Sequence, residues 1–168
     1  FQAAPQRRLV SSYGQLESVW PVHGSVLIQD NTIYTSAGRN TYLDGGITLY
    51  RLDPSTGKVL QKNLVCNFDP ETGDQLGVEA AFDMEGVNTD ILSGDGENIF
   101  MKQERFDASL QKTDKTIPHL FGVHGFLGEE WFVRSYWLLG TNVRAGWGAW
   151  ASGDETTFGR IMAFDETN

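Results

Sequence analysis

With 168 residues, and 13 Lys and Arg against 22 Asp and Glu for a formal charge of −9, the chain is sized for one ordinary domain, and its negative field argues against nucleic acid and anionic membrane as partners. No run approaches the roughly 18 consecutive apolar residues of a membrane-spanning helix, and the single cysteine, Cys66, excludes an intramolecular disulfide and any multi-cysteine zinc site. Nineteen Gly beside ten Phe, five Trp and five Tyr indicate many tight turns between short aromatic-rich strands, the composition of an all-β chain.

The chain opens on Phe1-Gln2-Ala3-Ala4-Pro5 without an initiator Met or a signal-peptide pattern, and is read as an internal fragment of a larger protein. The first predicted element is a hairpin, with Ser25-Val26-Leu27-Ile28, a turn over Gln29-Asp30-Asn31-Thr32, and a return at Ile33-Tyr34. Next, Leu49 to Leu60 is a strand, a turn in which Pro54 is pre-set and Gly57 is free to take positive φ, and another strand. Residues 65 to 86, with Asp69-Pro70-Glu71-Thr72-Gly73-Asp74, read as a loop excursion carrying one helical turn around Val78 to Met84. The hairpin pattern returns at Asp90-Ile91-Leu92, turn Ser93 to Asn98, and Ile99-Phe100, with a weaker echo of the Asp53 turn at Arg105 to Leu110. A third copy is Gly125-Phe126-Leu127, turn Gly128-Glu129-Glu130, and Trp131-Phe132. Residues 140 to 159 read as a loop packed by its own aromatics, and Arg160 to Asn168 begins the Asp53 pattern once more. The repeats recur at intervals above the roughly 40–50 residues of compact repeat units, so long inserted loops are expected between them.

The Leu49 to Leu60 run, Tyr50-x-Leu52-Asp53-x-x-Thr56-Gly57-Lys58-x-Leu60, resembles the repeat of pyrroloquinoline-quinone-type (PQQ-like) β-propellers. Glu17 to Val26, Ala37-Gly38-Arg39, Leu43 to Gly46, Pro118 to Phe121 and Trp131 to Trp137 are similar to segments of large bacterial proteins of that class. The resemblance implies a single partial propeller domain over residues 1–168, with about three blades of antiparallel four-stranded sheets, near 20–65, 87–112 and 119–168, joined by long loops. It also implies that the remaining blades of the parent chain are partners, and that the protein is exported to the periplasm or beyond. Quinone-dependent members carry adjacent disulfide-bonded cysteines, a stacking Trp and a calcium. Cys66 has no neighbouring Cys, so no cofactor is predicted for this segment, and PQQ with calcium would require additional blades.

Candidate site residues follow from placement within such blades. Arg39 and Arg105 each lie five residues after the bulky Tyr34 and Phe100, and with Arg134 they either converge on an anionic ligand at the channel mouth or pair with local carboxylates such as Asp44 and Asp107. His23 and His124 would lie near the channel. The bland reading of these and of His119 is a histidine bonded to backbone between blades, and no metal site is predicted. Trp131 and Trp137 are expected to pack on a strand, whereas Trp147 and Trp150 on their Gly-rich loop suit stacking on sugar rings as well as packing. No phosphate loop, no Gly-x-Ser-x-Gly and no singular acid-base pair occurs. The sequence therefore carries no complete catalytic constellation, and three functions stay open. They are a scaffold or ligand- and protein-binding segment, part of a quinone-dependent oxidoreductase, and a glycan-binding module.

Overall fold

The computed structural model describes residues 1–22, 26–69, 71–74, 76, 91–113, 117–122, 137–141, 157–159, 161 and 163, and every regular element among them is a β-strand. Strands β1 (Leu9–Ser12) and β2 (Gln15–Ser18) form a hairpin. A first sheet follows from β3 (Leu27–Gln29), β4 (Thr32–Ala37), β5 (Ile47–Leu52) and β6 (Val59–Val65), each antiparallel to its neighbour in chain order. The second sheet holds β7 (Leu92–Gly94), β8 (Ile99–Met101) and β9 (Glu104–Phe106), and the third β10 (His119–Gly122), β11 (Trp137–Gly140) and β12 (Thr157–Gly159), in the same up-and-down order. No sheet closes on itself among the described residues, and none holds more than four strands.

Local chemistry sets the turns. Asp30 and Asn31 take φ of 48° and 53°, the mirror-image turn that matches the twist of flanking strands and that short polar residues tolerate. At the β5–β6 turn the Asp53 N–H donates to Lys58 O at 2.9 Å, and the Gly57 N–H donates to Asp53 O at 2.9 Å. The Asp53 carboxylate accepts from the N–H groups of Ser55 and Thr56 at 2.9 and 2.8 Å and from both hydroxyls. Asp107 repeats the device after β9, accepting from the N–H groups of Ser109 and Gln111 at 2.8 and 2.9 Å. Asp69 does the same for Glu71 at 2.7 Å, while its own N–H donates to Asp74 O at 2.8 Å. The weak echo at Asp107 is thus a counterpart of the Asp53 turn, and beyond it Phe106 and Lys112 form an isolated antiparallel bridge.

Strand pairing fixes which side chains share a face. In the first sheet Ile33 opposes Leu52 and Thr35 opposes Tyr50, while Tyr34 opposes Arg51 and Ser36 opposes Leu49. The former face packs with Ala37 on Val19, Trp20, Val10, Ala3 and Ala4 from the hairpin and the segment before it. The latter, with Ile47 and Val65, packs on Leu92, Ile99, Met101, Phe106 and Leu110 of the second sheet and its final turn. Asn63 on β6 ties the layer at its outer side by donating to Leu110 O at 2.6 Å.

The sheets also meet through their first strands, because β7 touches β3 on one side and β10 on the other. Gln29 Oε1 accepts the Gly96 N–H at 3.1 Å, and Ser93 Oγ donates to Leu120 O at 3.0 Å. The first two predicted hairpins therefore form where their turns were placed. The β1–β2 hairpin is an addition, and the second and third sheets show three strands each among the described residues. The third predicted hairpin, the helical turn at 78–84 and most of the 140–159 loop lie outside the described residues. No helix among those residues is long and apolar enough to cross a membrane.

Candidate functional site

Two of the predicted site residues, Arg39 and Arg105, fall within the described part, and the structure separates them. Arg39 lies just beyond β4, where its Nη2 sits 3.5 Å from Glu17 Oε2 and donates to Ser18 O at 3.4 Å, facing the hairpin. Arg105 is on β9, opposite Phe100, on the face turned toward the third sheet. The equal count from Tyr34 and Phe100 misleads because residues 38–46 link β4 to β5, whereas only Lys102 and Gln103 link β8 to β9. The residue that matches Arg105 in register is Arg51, opposite Tyr34. Each arginine thus belongs to a different layer between sheets.

Arg39 takes a local carboxylate, Glu17, in place of the suggested Asp44 or Asp107. Asp44 pairs with Arg8 at 3.4 Å, and Asp107 caps its own turn. Arg105 Nε instead donates to Asn98 Oδ1 at 2.9 Å, and Asn98 Nδ2 donates to Asp95 Oδ2 at 2.8 Å. Burial raises the Asp95 carboxyl, but the Asn98 side chain and the N–H groups of Asn98 and Glu97 outweigh it and hold the group below its ordinary range. His23, His124, Arg134, Trp147 and Trp150 lie outside the described residues.

His119 answers to the bland reading given to it. Its buried ring stacks on Phe100 at 3.9 Å and 14°, and its nitrogens meet the carbonyls of Ile117 and Lys102. Trp137 sits on β11 opposite Gly122 and Gly159, half-buried.

A groove of about 690 Å³ lies where the segment Phe1 to Pro5 crosses β5 and β6, lined by Phe1, Gln2, Pro5, Tyr50, Lys62 and Leu64 among others. Tyr50 shapes it, donating its hydroxyl to Ala3 O at 2.6 Å and meeting the Phe1 ring edge-on at 5.0 Å. Burial raises the Tyr50 phenol above its ordinary range, against a smaller lowering from Thr48. A neutral phenol, an ammonium and apolar walls equip the groove to bind and orient, with no nucleophile and base placed together. Sequence reasoning passed over it because its two sides are 47 positions apart.

Cys66 Sγ contacts Phe68 O at 3.4 Å and has no cysteine neighbour, and the described residues assemble no cluster of three His, Cys, Asp or Glu. No family model, curated protein or solved structure matches the chain.

Proposed function

We propose that the chain is a segment of a PQQ-like β-propeller that serves as a scaffold or ligand- and protein-binding module in an exported bacterial protein. The observation that carries this reading is the sequence of three up-and-down sheets whose first strands, β3, β7 and β10, lie side by side. Strands in that position are the ones that surround a central channel when more sheets are added. The Asp53 turn, repeated at Asp107, supplies the family likeness.

Two exposed surfaces support a need for further blades. Ile28, opposite the half-buried Ile33, is 67% exposed on the hairpin side of the first sheet, and Leu16 is 70% exposed on β2. Apolar residues in such places await a neighbour. Light scattering on the 168-residue chain tests the reading: concentration-dependent association is expected, and a monodisperse monomer that unfolds cooperatively overturns it.

A further inference from the structure

Most of the polar groups around the groove between Phe1 to Pro5 and the first sheet are already engaged. The Tyr50 hydroxyl donates to Ala3 O at 2.6 Å, and the Gln2 amide donates to Ala4 O at 3.4 Å. Asn63 lines the groove through its backbone strand but sends its amide to the second sheet, donating to Leu110 O at 2.6 Å. Tyr50 stands opposite Lys62 and Thr48 opposite Leu64, so these four side chains share one face of β5 and β6.

Lys62 is the one charged side chain among the described residues that line the groove, and none of those residues is Asp or Glu. No carboxylate among the described residues pairs with its ammonium. In a chain with 22 Asp and Glu against 13 Lys and Arg, a concave place with one cation and no acid favours negative charge locally. Apolar surface surrounds that cation, with Phe1 61% exposed, Leu64 47% and Val59 38%. At about 690 Å³ the groove has the size of a small-molecule site. A single ammonium beside apolar walls matches one negative charge on an apolar body, whereas a doubly charged phosphate would leave half of its charge unpaired against those walls.

We propose that this groove binds a small monoanionic amphiphile, a carboxylate joined to an apolar body, with the carboxylate on Lys62 Nζ and the body against Phe1, Pro5 and Leu64. The proposal names a ligand class for the binding role given above and does not rest on the propeller likeness. Association of the chain tests that likeness, whereas the amount of ligand held tests the groove.

Equilibrium dialysis of the 168-residue chain against octanoate, with octanol as the neutral counterpart, reads binding whatever the association state. Octanoate binding should saturate at one molecule per chain. Lys62→Met should weaken it about two- to fivefold, the size of one solvent-exposed ion pair, without weakening octanol. Lys112→Met removes the same charge from the second sheet, where it pairs with Glu104, and should leave both ligands unaffected. Leu64→Asp sets a carboxylate on the groove at an exposed position of the outermost strand, and should abolish octanoate binding. Absence of saturable octanoate binding overturns the proposal. So does binding that Lys62→Met and Lys112→Met weaken equally, or that survives Leu64→Asp.

Discussion

Gly94 on β7 and Gln29 on β3 compete for one space, since a Cβ on Gly94 would meet Gln29 Oε1, the atom that accepts the Gly96 N–H at 3.1 Å. Leu27 Cδ2 at 3.2 Å and Asn98 O at 3.3 Å close the other sides. The absent side chain is what lets the first strands of two sheets approach.

Gly94→Ala should therefore displace the Gln29 amide and lower stability by about 1–2 kcal/mol, the worth of a lost hydrogen bond with some crowding. Gln29→Ala alone should cost about 1 kcal/mol. The double variant should cost less than the sum, because both changes remove the same contact. Chemical denaturation of the four proteins measures the cycle.

Asp53 holds its turn through an ionised carboxylate, lowered to about 2 by the Ser55 and Thr56 hydroxyls and the Thr56 N–H. A depressed group stabilises the fold above its unfolded value, about 3.9, and the contribution is lost as pH falls through about 2. Between pH 4 and pH 2 the Tm of the wild type should fall further than that of Asp53→Asn. Carboxyl-carbon NMR should give a midpoint near 2 for this residue.

Two glycines separate conformation from space. Gly46 takes φ of 81°, and its Cβ would lie 2.5 Å from Val65 O and 2.9 Å from Cys66 Cβ, whereas Gly57 at φ 66° has open space around it. Gly57→Ala should cost about 1–2 kcal/mol, the left-handed penalty alone. Gly46→Ala should cost more than that, because the β5–β6 backbone must also move. Thermal unfolding of both variants gives the order.

Phe106 is fully buried in the layer that joins the first and second sheets. Phe106→Ala should destabilise the chain by about 3–5 kcal/mol through lost burial and a residual cavity. Its urea midpoint should fall accordingly, and Phe106→Leu should recover most of the loss.

What the sequence disclosed was local. Asp30-Asn31, Pro54 and Gly57 specify their turns through residues adjacent in the chain, and the strands on either side alternate with a period of two. The β1–β2 hairpin escaped because it buries little, with Val10 packed inward while Leu9 and Leu16 stay exposed. Its one signal was Tyr13-Gly14, which turns at φ of 48° and 78°. Counting matched Arg39 with Arg105 because spacing along the chain ignores how long each strand connection is. Register finds Arg51, which counting does not. The surroundings of His119 depend on Lys102 O, seventeen positions away, and no pattern in one sequence encodes that meeting.

The repeated register has a further consequence. Ile33-Tyr34 with Arg51-Leu52-Asp53, and Ile99-Phe100 with Arg105-Phe106-Asp107, place equivalent residues on equivalent faces. In both sheets the Ile faces back along the chain and the aromatic faces forward. The stack is polar, so a front fits a back and not another front. Contacts of that kind are heterologous, and copies joining through them grow as open chains unless the rotation closes a ring. Self-association of this chain should accordingly pass through trimers and larger species as concentration rises, with no plateau at a two-fold dimer.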